Sequence, residues 1–279
     1  IILKALNEAG YKPALVITTP DKPKGRGHTI APPPVKIYAE KHTITVMQPA
    51  TLKDQKIINT IVAFEPDLFI VAAYGKIAPE SIINLPKYGM INVHPSLLPK
   101  YRGPSPVQTT ILNGDKEAGV SIMLLDKEID HGPVIVKEKI ELNNWNPTTN
   151  ELKDKLAKIG GQLIIKILPD WISGKIKAVP QDHSQATFTK KIQKEDGFVG
   201  NHDLLEGDLD INNIGTIERK IRALTPDPGV FTFINSKNGK IRVKIVKAKI
   251  QDDKLIIERV IPEGKKEMNW EDFKRGNLK

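Results

Sequence analysis

The feature that most constrains this chain is the alternation of short apolar strands with helical segments through its N-terminal part. The runs 13–19, 67–73 and 90–93 are almost continuously apolar, and the segments between them have helical periodicity. Continuously apolar strands are typical of a sheet covered on both faces, and parallel strands need helical crossovers. The sequence therefore predicts an open, largely parallel, Rossmann-like α/β sheet.

The character of the chain changes in its C-terminal part. Its 279 residues are enough for about two domains. Residues 174–196 lose periodicity, and the β-branched runs that follow are separated by the turn signals Asn238-Gly239 and Asp252-Asp253. We expect an α/β domain over 1–173, a linker over 174–196 and a small β-barrel (OB-like) domain over 197–279.

Three local features lead to further expectations. Such α/β domains usually open on a strand, but residues 1–9 have helical periodicity, so we expect the first strand to be absent. The Pro-, Gly- and Lys-rich segment 20–34 is expected to be a loop. Thr148 or Thr149, with Glu151 just inside, should cap a long amphipathic helix.

Composition and charge narrow the possible functions. The chain has no cysteine, which excludes disulfides, thiolate metal sites and a cysteine nucleophile. We find no signal peptide and no apolar run long enough to cross a bilayer, so we expect a cytoplasmic protein without a membrane partner. The formal net charge of +9 favours a phosphate-bearing partner such as a nucleic acid.

The segment from Asn92 to Gly103 is the most informative for chemistry. Asn92 and His94 are two residues apart at the end of a predicted strand, so their side chains face the same side. Ligands of open α/β sheets bind at the carboxyl ends of the strands. The stiff, partly apolar turn after His94 suits a flat heteroaromatic ligand, although an isolated histidine is more often structural.

An acid-rich turn follows the next predicted strand, 120–125. Asp126 and Asp130 can each serve simply as turn residues. Alternatively, Asp130 meets His94 across neighbouring strand ends, raises the pKa of the imidazole and forms an acid/base pair with it. The six histidines form no recognised metal-binding pattern, and we expect no metal.

Two basic regions are candidates for contact with a nucleic-acid backbone. Lys22, Lys24 and Arg26 lie among glycines and prolines and could clamp phosphates, or could form a solvated turn. Cations also alternate along a predicted C-terminal strand, which fits either a solvated face or a nucleic-acid contact. Their positions are Lys240, Arg242, Lys244, Lys247 and Lys249.

Together these segments resemble the formyltetrahydrofolate-dependent formyltransferases, and among them the members that act on methionyl-tRNA. The resemblance covers nearly the whole chain, although the C-terminal domain looks shortened near 249–255. The matching segments are 20–27, 73–79, 91–103, 119–130, 186–197, 221–229 and 262–268.

The resemblance implies transfer of the formyl group of 10-formyltetrahydrofolate to the α-amino group of initiator methionyl-tRNA, by a monomer. Its implied catalytic residues are Asn92 and His94, as donors to the oxyanion, and Asp130, which raises the His94 pKa and relays the amine proton. The implied folate-binding residues are Ser96, Leu97, Leu98, Pro99, Gly75 and Ile77. The implied tRNA-binding residues are Lys22, Lys24 and Arg26.

Two other functions stay open at this point. An amino-sugar-nucleotide formyltransferase would have the same Asn92, His94 and Asp130, although the basic loop argues against it. A non-catalytic RNA-binding protein on the same scaffold would not need the three residues to be intact.

Overall fold

A computed structural model describes residues 1–24, 29–200, 211–237 and 239–278. Helices and strands alternate through the N-terminal part, as predicted. The helices are α1 (Ile2–Glu8), α2 (Pro34–Lys41), α3 (Gln55–Val62), α4 (Glu80–Ile83), α5 (Pro106–Asn113), α6 (Thr149–Ile172), α7 (Ile211–Leu224) and α8 (Trp270–Asn277). The strands are β1 (Leu15–Ile17), β2 (Lys22–Lys24), β3 (Thr29–Ala31), β4 (Thr45–Met47), β5 (Phe69–Val71), β6 (Met90–His94), β7 (Glu117–Leu124), β8 (Val134–Glu141), β9 (Val230–Ser236), β10 (Gly239–Gln251), β11 (Lys254–Pro262) and β12 (Met268–Asn269).

The chain divides into two compact units, each built from several segments. The first comprises 1–104, 119–140 and 154–188, and the second comprises 105–118, 141–153 and 189–279. The predicted α/β fold is confirmed for the first unit. In it β1 pairs with β4 and β5 pairs with β6, both in parallel, and the order β5-β6-β7-β8 forms a four-stranded sheet in which β7 runs antiparallel to β6.

Strand β6 lies inside this sheet and carries the candidate site. Ile91 is fully buried, opposite Ile70 of β5 and Leu124 of β7. Apolar side chains from α3 and α4 pack with Met90 into a cluster beneath the strand. The burial of these neighbours fixes the register of β6, and the register fixes which of its side chains reach the carboxyl edge.

The expectation of a loop over 20–34 is wrong for two short pieces. β2 and β3 pair antiparallel within it, with Lys22 opposite Ala31 and Lys24 opposite Thr29. Cross-strand pairing outweighs the proline at position 23, because a two-stranded ribbon consists only of edges, where a missing N–H is tolerated. Arg26 lies outside the described residues.

The second unit contains an antiparallel sheet in the order β12-β11-β10-β9, consistent with the predicted small barrel-like domain. The expected short connection is present: β10 and β11 are joined at Asp252 and Asp253, both with left-handed backbone (φ 50° and 55°). Two successive left-handed residues match the twist of a tight hairpin. Asn238 lies outside the described residues.

Candidate active site

Asn92 and His94 reach the carboxyl edge of β6 side by side. Asn92 lies opposite Val71 and Met123, and His94 lies opposite Ser121. Their spacing of two places both side chains on one face of the sheet, as expected. His94 is only 4% exposed, whereas Asn92 is half-buried. The edge of the sheet therefore presents one shielded imidazole beside one more accessible amide.

The structure brings Asp130 to these two side chains. Asn92 Nδ2 donates to Asp130 Oδ1 over 3.3 Å, and His94 Nδ1 lies 3.5 Å from the same oxygen. The second carboxylate oxygen accepts from the backbone N–H of Gly103 at 2.8 Å. The acid turn therefore does more than reverse the chain, because it delivers a carboxylate to the edge of β6. The catalytic roles of the three residues stay a prediction.

Local backbone conformation explains how the carboxylate gets there. Asp130 has φ 49°, a left-handed conformation that aspartate tolerates better than most residues. Gly132 follows closely beneath the end of β7, and a Cβ there would come within 2.1 Å of the Leu124 carbonyl oxygen. Only glycine fits so close to the backbone, so the turn is held tightly under the strand.

Opposing effects set the pKa of His94. Burial lowers its pKa, and this outweighs the opposing effects of the Asp130 carboxylate and of the hydrogen bond to the Tyr101 carbonyl. The Nε2 atom lies 3.0 Å from that carbonyl oxygen, which can only accept, so Nε2 carries the proton. Asp130 raises the His94 pKa, as expected, but the imidazole is so deeply buried that its pKa is lowered overall.

The lowered pKa predicts an acid-sensitive fold. In the unfolded chain His94 takes up a proton near its ordinary value of about 6.5, whereas the folded protein resists it. The free energy of unfolding should therefore fall as the pH drops below that value, by up to about 1.4 kcal/mol per pH unit. Urea unfolding of wild type and His94→Gln from pH 7.5 to 5.0 measures this. An equally steep fall in both proteins would assign the effect to other groups.

The turn after β6 is organised by Ser96 and Ser121. Ser96 Oγ donates to the Lys100 carbonyl at 2.6 Å, and Ser121 Oγ donates to the Ser96 carbonyl at 2.7 Å. Ser121 Oγ also accepts from the Leu98 N–H at 3.0 Å. The Ser96 hydroxyl is buried and used inside the turn. The hydrogen bond from the Ser96 hydroxyl therefore fixes the shape of the turn.

The predicted folate-binding residues differ in accessibility. Leu98 is fully buried against Met123 and Val134, so its side chain has no free surface. Leu97 and Pro99 are half-buried. The second predicted group is open: Ile77 is 75% exposed, and no atom lies within 4 Å of a Cβ built on Gly75. The assignment of all six residues to folate binding stays a prediction.

The basic hairpin formed by β2 and β3 is anchored at its base. Gln48 Nε2 donates to Asp21 Oδ1 at 2.6 Å, and Lys36 Nζ donates to Asp21 Oδ2 at 2.9 Å. These contacts lower the Asp21 pKa, with the Gln48 hydrogen bond contributing most. The adjacent Lys22 side chain is exposed. The contacts of Asp21 hold the base of the hairpin in place, and the exposed Lys22 beside it is open to the approach of a phosphate.

The basic strand of the second unit divides into two parts. Lys247 and Lys249 lie 3.0 and 3.4 Å from the Glu258 carboxylate, which partly neutralises them. The Arg242 guanidinium instead lies over the Phe231 ring at 3.9 Å, and the Lys240 ammonium lies 5.2 Å from the Phe233 ring centre. The ion pairs favour a structural role for Lys247 and Lys249. For Lys240, Arg242 and Lys244, a solvated face and a nucleic-acid contact both stay open.

Sequence reasoning missed Arg102 and Gln181. Both are buried, and Gln181 lies in the segment expected to be a linker. Its Oε1 accepts from Arg102 Nε at 3.2 Å and from Arg102 Nη2 at 2.8 Å. The only local signal was an arginine beside Gly103 in an otherwise informative motif. The partner is far away along the chain, so no spacing pattern could find it.

The described part of the chain contains neither a metal-binding cluster nor a helix able to cross a membrane. Among the described residues, no group of three or more histidine and carboxylate side chains is arranged to hold a metal ion. None of the helices described combines the length and the apolar character that crossing a bilayer requires.

Comparison with known proteins relates this fold and site to a family. The family model described as formyl transferase matches residues 1–168. A second model, described as formyl transferase, C-terminal domain, matches residues 211–256. The first match covers the strands and the acid turn that carry the site, so the fold and the site define a formyl transferase.

Similar curated proteins make the assignment more specific. A methionyl-tRNA formyltransferase of Bacillus velezensis is 36% identical over 99% of this chain and 90% of its own length. One of Dictyoglomus thermophilum is 40% identical over 94% of this chain and 88% of its own length. The chain belongs to the methionyl-tRNA formyltransferase family.

Solved structures share the fold. A methionyl-tRNA formyltransferase from Clostridium thermocellum aligns with a TM-score of 0.59 at 20% identity, covering 89% of this chain and 97% of that one. A 4-N formyltransferase from Francisella tularensis aligns with a TM-score of 0.58 at 23% identity, covering 77% and 84%. At these identities the likeness establishes only the fold.

Proposed function

We propose that the protein transfers the formyl group of 10-formyltetrahydrofolate to the α-amino group of initiator methionyl-tRNA, in the cytoplasm and as a monomer. The observation that carries the proposal is the contact that Asp130 makes with both Asn92 and His94 at the carboxyl edge of β6. The names of the chain's relatives support the choice of methionyl-tRNA as the acceptor.

The amine must lose a proton before it can attack. A simple α-amino group has a pKa of about 8, so most of it is protonated at neutral pH. The Asp130 carboxylate can accept that proton through a water molecule, and the unprotonated Nδ1 of His94 lies beside it. The site therefore holds two adjacent proton acceptors, and a proton on either is stabilised by the other.

Attack on the formyl carbon produces an oxyanion, which needs a donor. Asn92 Nδ2 has two hydrogens, and its single contact with Asp130 uses one of them. The Nε2–H of His94 is already donated to Tyr101, so in this arrangement the amide is the better-placed donor. One such donor is worth about 3–4 kcal/mol in the transition state.

The residues present fit the folate co-substrate. When bound, 10-formyltetrahydrofolate supplies the formyl carbon and an amine leaving group. The half-buried Leu97 and Pro99 offer apolar surface in the turn after β6, while Gly75 and Ile77 leave open space after β5. The Leu98 side chain is buried with Met123 and Val134 and adds no surface of its own.

The tRNA contact is proposed for the basic hairpin, and Lys22 tests it within the described residues. Lys22→Ala should weaken tRNA binding and lower the slope of log K against log salt by about one unit, because one phosphate contact is lost. Arg26→Ala should behave in the same way. Binding titrations at several salt concentrations measure the slope.

The matched control for the hairpin is Lys12→Ala. Lys12 is exposed but precedes β1, at the opposite edge of the sheet from the ligand-binding ends of the strands. It should keep the wild-type slope, and folate affinity should stay unchanged in all three variants. An unchanged slope for both Lys22→Ala and Arg26→Ala would instead support the interpretation that this segment is a solvated turn without a tRNA contact.

The direct test of the function is a formylation assay with purified full chain and 10-formyltetrahydrofolate. Initiator methionyl-tRNA, elongator methionyl-tRNA and an amino-sugar nucleotide serve as parallel acceptors. We expect formyl-methionyl-tRNA from the initiator at the highest kcat/KM. Formylation of the sugar nucleotide alone would establish the alternative function, and tRNA binding without turnover would indicate the non-catalytic scaffold.

A further inference from the structure

We infer that Gln181 is a positioning residue for Asp130 and that it acts through a clamp formed with Arg102. The inference rests on the proposed function, since it assigns Asp130 to proton transfer. It concerns the segment 179–188, which lies in the first compact unit and was expected to be part of a linker. The hydrogen bonds described for Gln181 go to the acid turn and to Arg102, and none of them goes to Asn92 or His94.

The amide of Gln181 bonds to the acid turn on one side. Its Nε2 donates to the Asp130 carbonyl at 2.9 Å and to the Gly132 carbonyl at 2.7 Å. Both hydrogens of the amide are thereby used on one short stretch of backbone. Because Asp130 has a left-handed backbone, two bonds to this turn stabilise a conformation that is costly when unsupported.

The oxygen of the same amide bonds to the neighbouring loop. Gln181 Oε1 accepts from Nε and Nη2 of Arg102, whose Nη2 also lies 2.8 Å from His183 Nδ1. Thr187 completes the attachment, since its hydroxyl accepts from the Tyr101 N–H and its carbonyl accepts from the Arg102 N–H. The segment therefore holds the acid turn and the 101–103 loop together.

This loop makes the remaining contacts to the site. The Tyr101 carbonyl accepts from His94 Nε2, and the Gly103 N–H donates to Asp130 Oδ2. Arg102 lies between Tyr101 and Gly103 in the chain, and both its guanidinium and its backbone N–H bond to the segment 179–188. Gln181 is 8% exposed, and water has little access to replace its bonds. Loss of the amide should therefore alter the direction of the Asp130 carboxylate without removing any group that touches substrate.

The test is a double-mutant cycle between Gln181→Met and Asp130→Asn. Gln181→Met keeps the length of the side chain but removes the amide, and should lower kcat by about 10- to 100-fold with KM for both substrates within about twofold. In the Asp130→Asn background the same change should cost less than about threefold, because the group that it positions is already absent. Gln185→Met, an exposed glutamine on the same segment, should behave as wild type.

Two further measurements separate positioning from loss of structure. Gln181→Glu keeps an acceptor for Arg102 but presents a carboxylate to two carbonyl oxygens, so it should lower kcat at least as much as Gln181→Met. The carboxyl ¹³C resonance of Asp130, assigned with Asp130→Asn, should move in Gln181→Met and stay in place in Gln185→Met. This readout needs no turnover, so it still tests the clamp if methionyl-tRNA is not formylated.

Three results would overturn the inference. One is a wild-type kcat in both Gln181 variants. Another is an equal loss from Gln181→Met in the presence and absence of Asp130, which would indicate a general structural role. The third is an unmoved Asp130 resonance in a folded Gln181→Met protein. Failure of the formylation assay with an Asp130 resonance that does respond would instead reject the proposed function and retain the clamp.

Discussion

Replacing Asp130 by Asn should lower kcat by about 10²- to 10⁴-fold while leaving folate affinity within about threefold. The amide cannot accept the amine proton. It also replaces the carboxylate that accepts from the Gly103 N–H and from Asn92 Nδ2. Asn is nearly isosteric and tolerates the left-handed backbone at this position, so the turn should persist. Steady-state kinetics and a folate titration measure the two quantities.

Asp126→Asn is the matched control. Asp126 belongs to the same acid-rich turn, but its carboxylate bonds to His131 Nδ1 at 2.7 Å and to the Glu128 N–H at 2.9 Å. The change in charge is identical, whereas the expected loss in kcat is less than about tenfold. Similar losses in both variants would show that the net charge of the turn matters and that Asp130 has no particular role.

Local patterns were sufficient for the parts of the site that lie on regular structure. The alternation of a strand predicts that Asn92 and His94 share a face, and the carboxyl-edge rule predicts where a ligand binds. The capping pattern at α6 is also confirmed: the Thr148 N–H and hydroxyl both donate to Glu151 Oε2. In each case the interacting groups are within a few residues of one another.

Contacts between distant segments could not be predicted in this way. Gln181 and Asp130 are 51 residues apart in the chain, and neither segment has a periodicity that indicates the other. The polar composition of the segment suggested a linker, whereas its side chains bond to two loops of the first unit. Polar residues are depleted in cores, but they are used there when every bond has a partner.

Burial determines two properties that the sequence pattern does not reveal, namely the accessibility of Leu98 and the pKa of His94. The sequence predicts that Leu98 lines a ligand pocket, but the structure buries its side chain completely in a cluster with Met123. The pattern predicts that Asp130 raises the His94 pKa, and it does, but the enclosure of the imidazole lowers that pKa by more. Both outcomes depend on how neighbouring strands cover the residue, which is a tertiary property.

Replacing Asn92 by Ala should lower kcat by about 10²- to 10³-fold, the usual effect of removing one oxyanion donor. The bond that Asn92 makes to Asp130 is long, at 3.3 Å, so its loss should change the free energy of unfolding only slightly. KM should change little, because the oxyanion exists only after the substrate has bound. Asn7→Ala, the same substitution on α1 in the same unit, is the control and should keep wild-type kinetics.

A second comparison shows whether the Asn92 amide acts as a donor. Asn92→Asp keeps the shape of the side chain but places a carboxylate beside Asp130, so it should be at least as slow as Asn92→Ala. Because it removes the donor and adds repulsion, its activity should recover partly at acid pH, where one of the two carboxylates is protonated. If Asn92→Ala stays within about tenfold of wild type, the oxyanion must be stabilised by another group. The imidazole of His94, released from the Tyr101 carbonyl, would then be the nearest side-chain donor on β6.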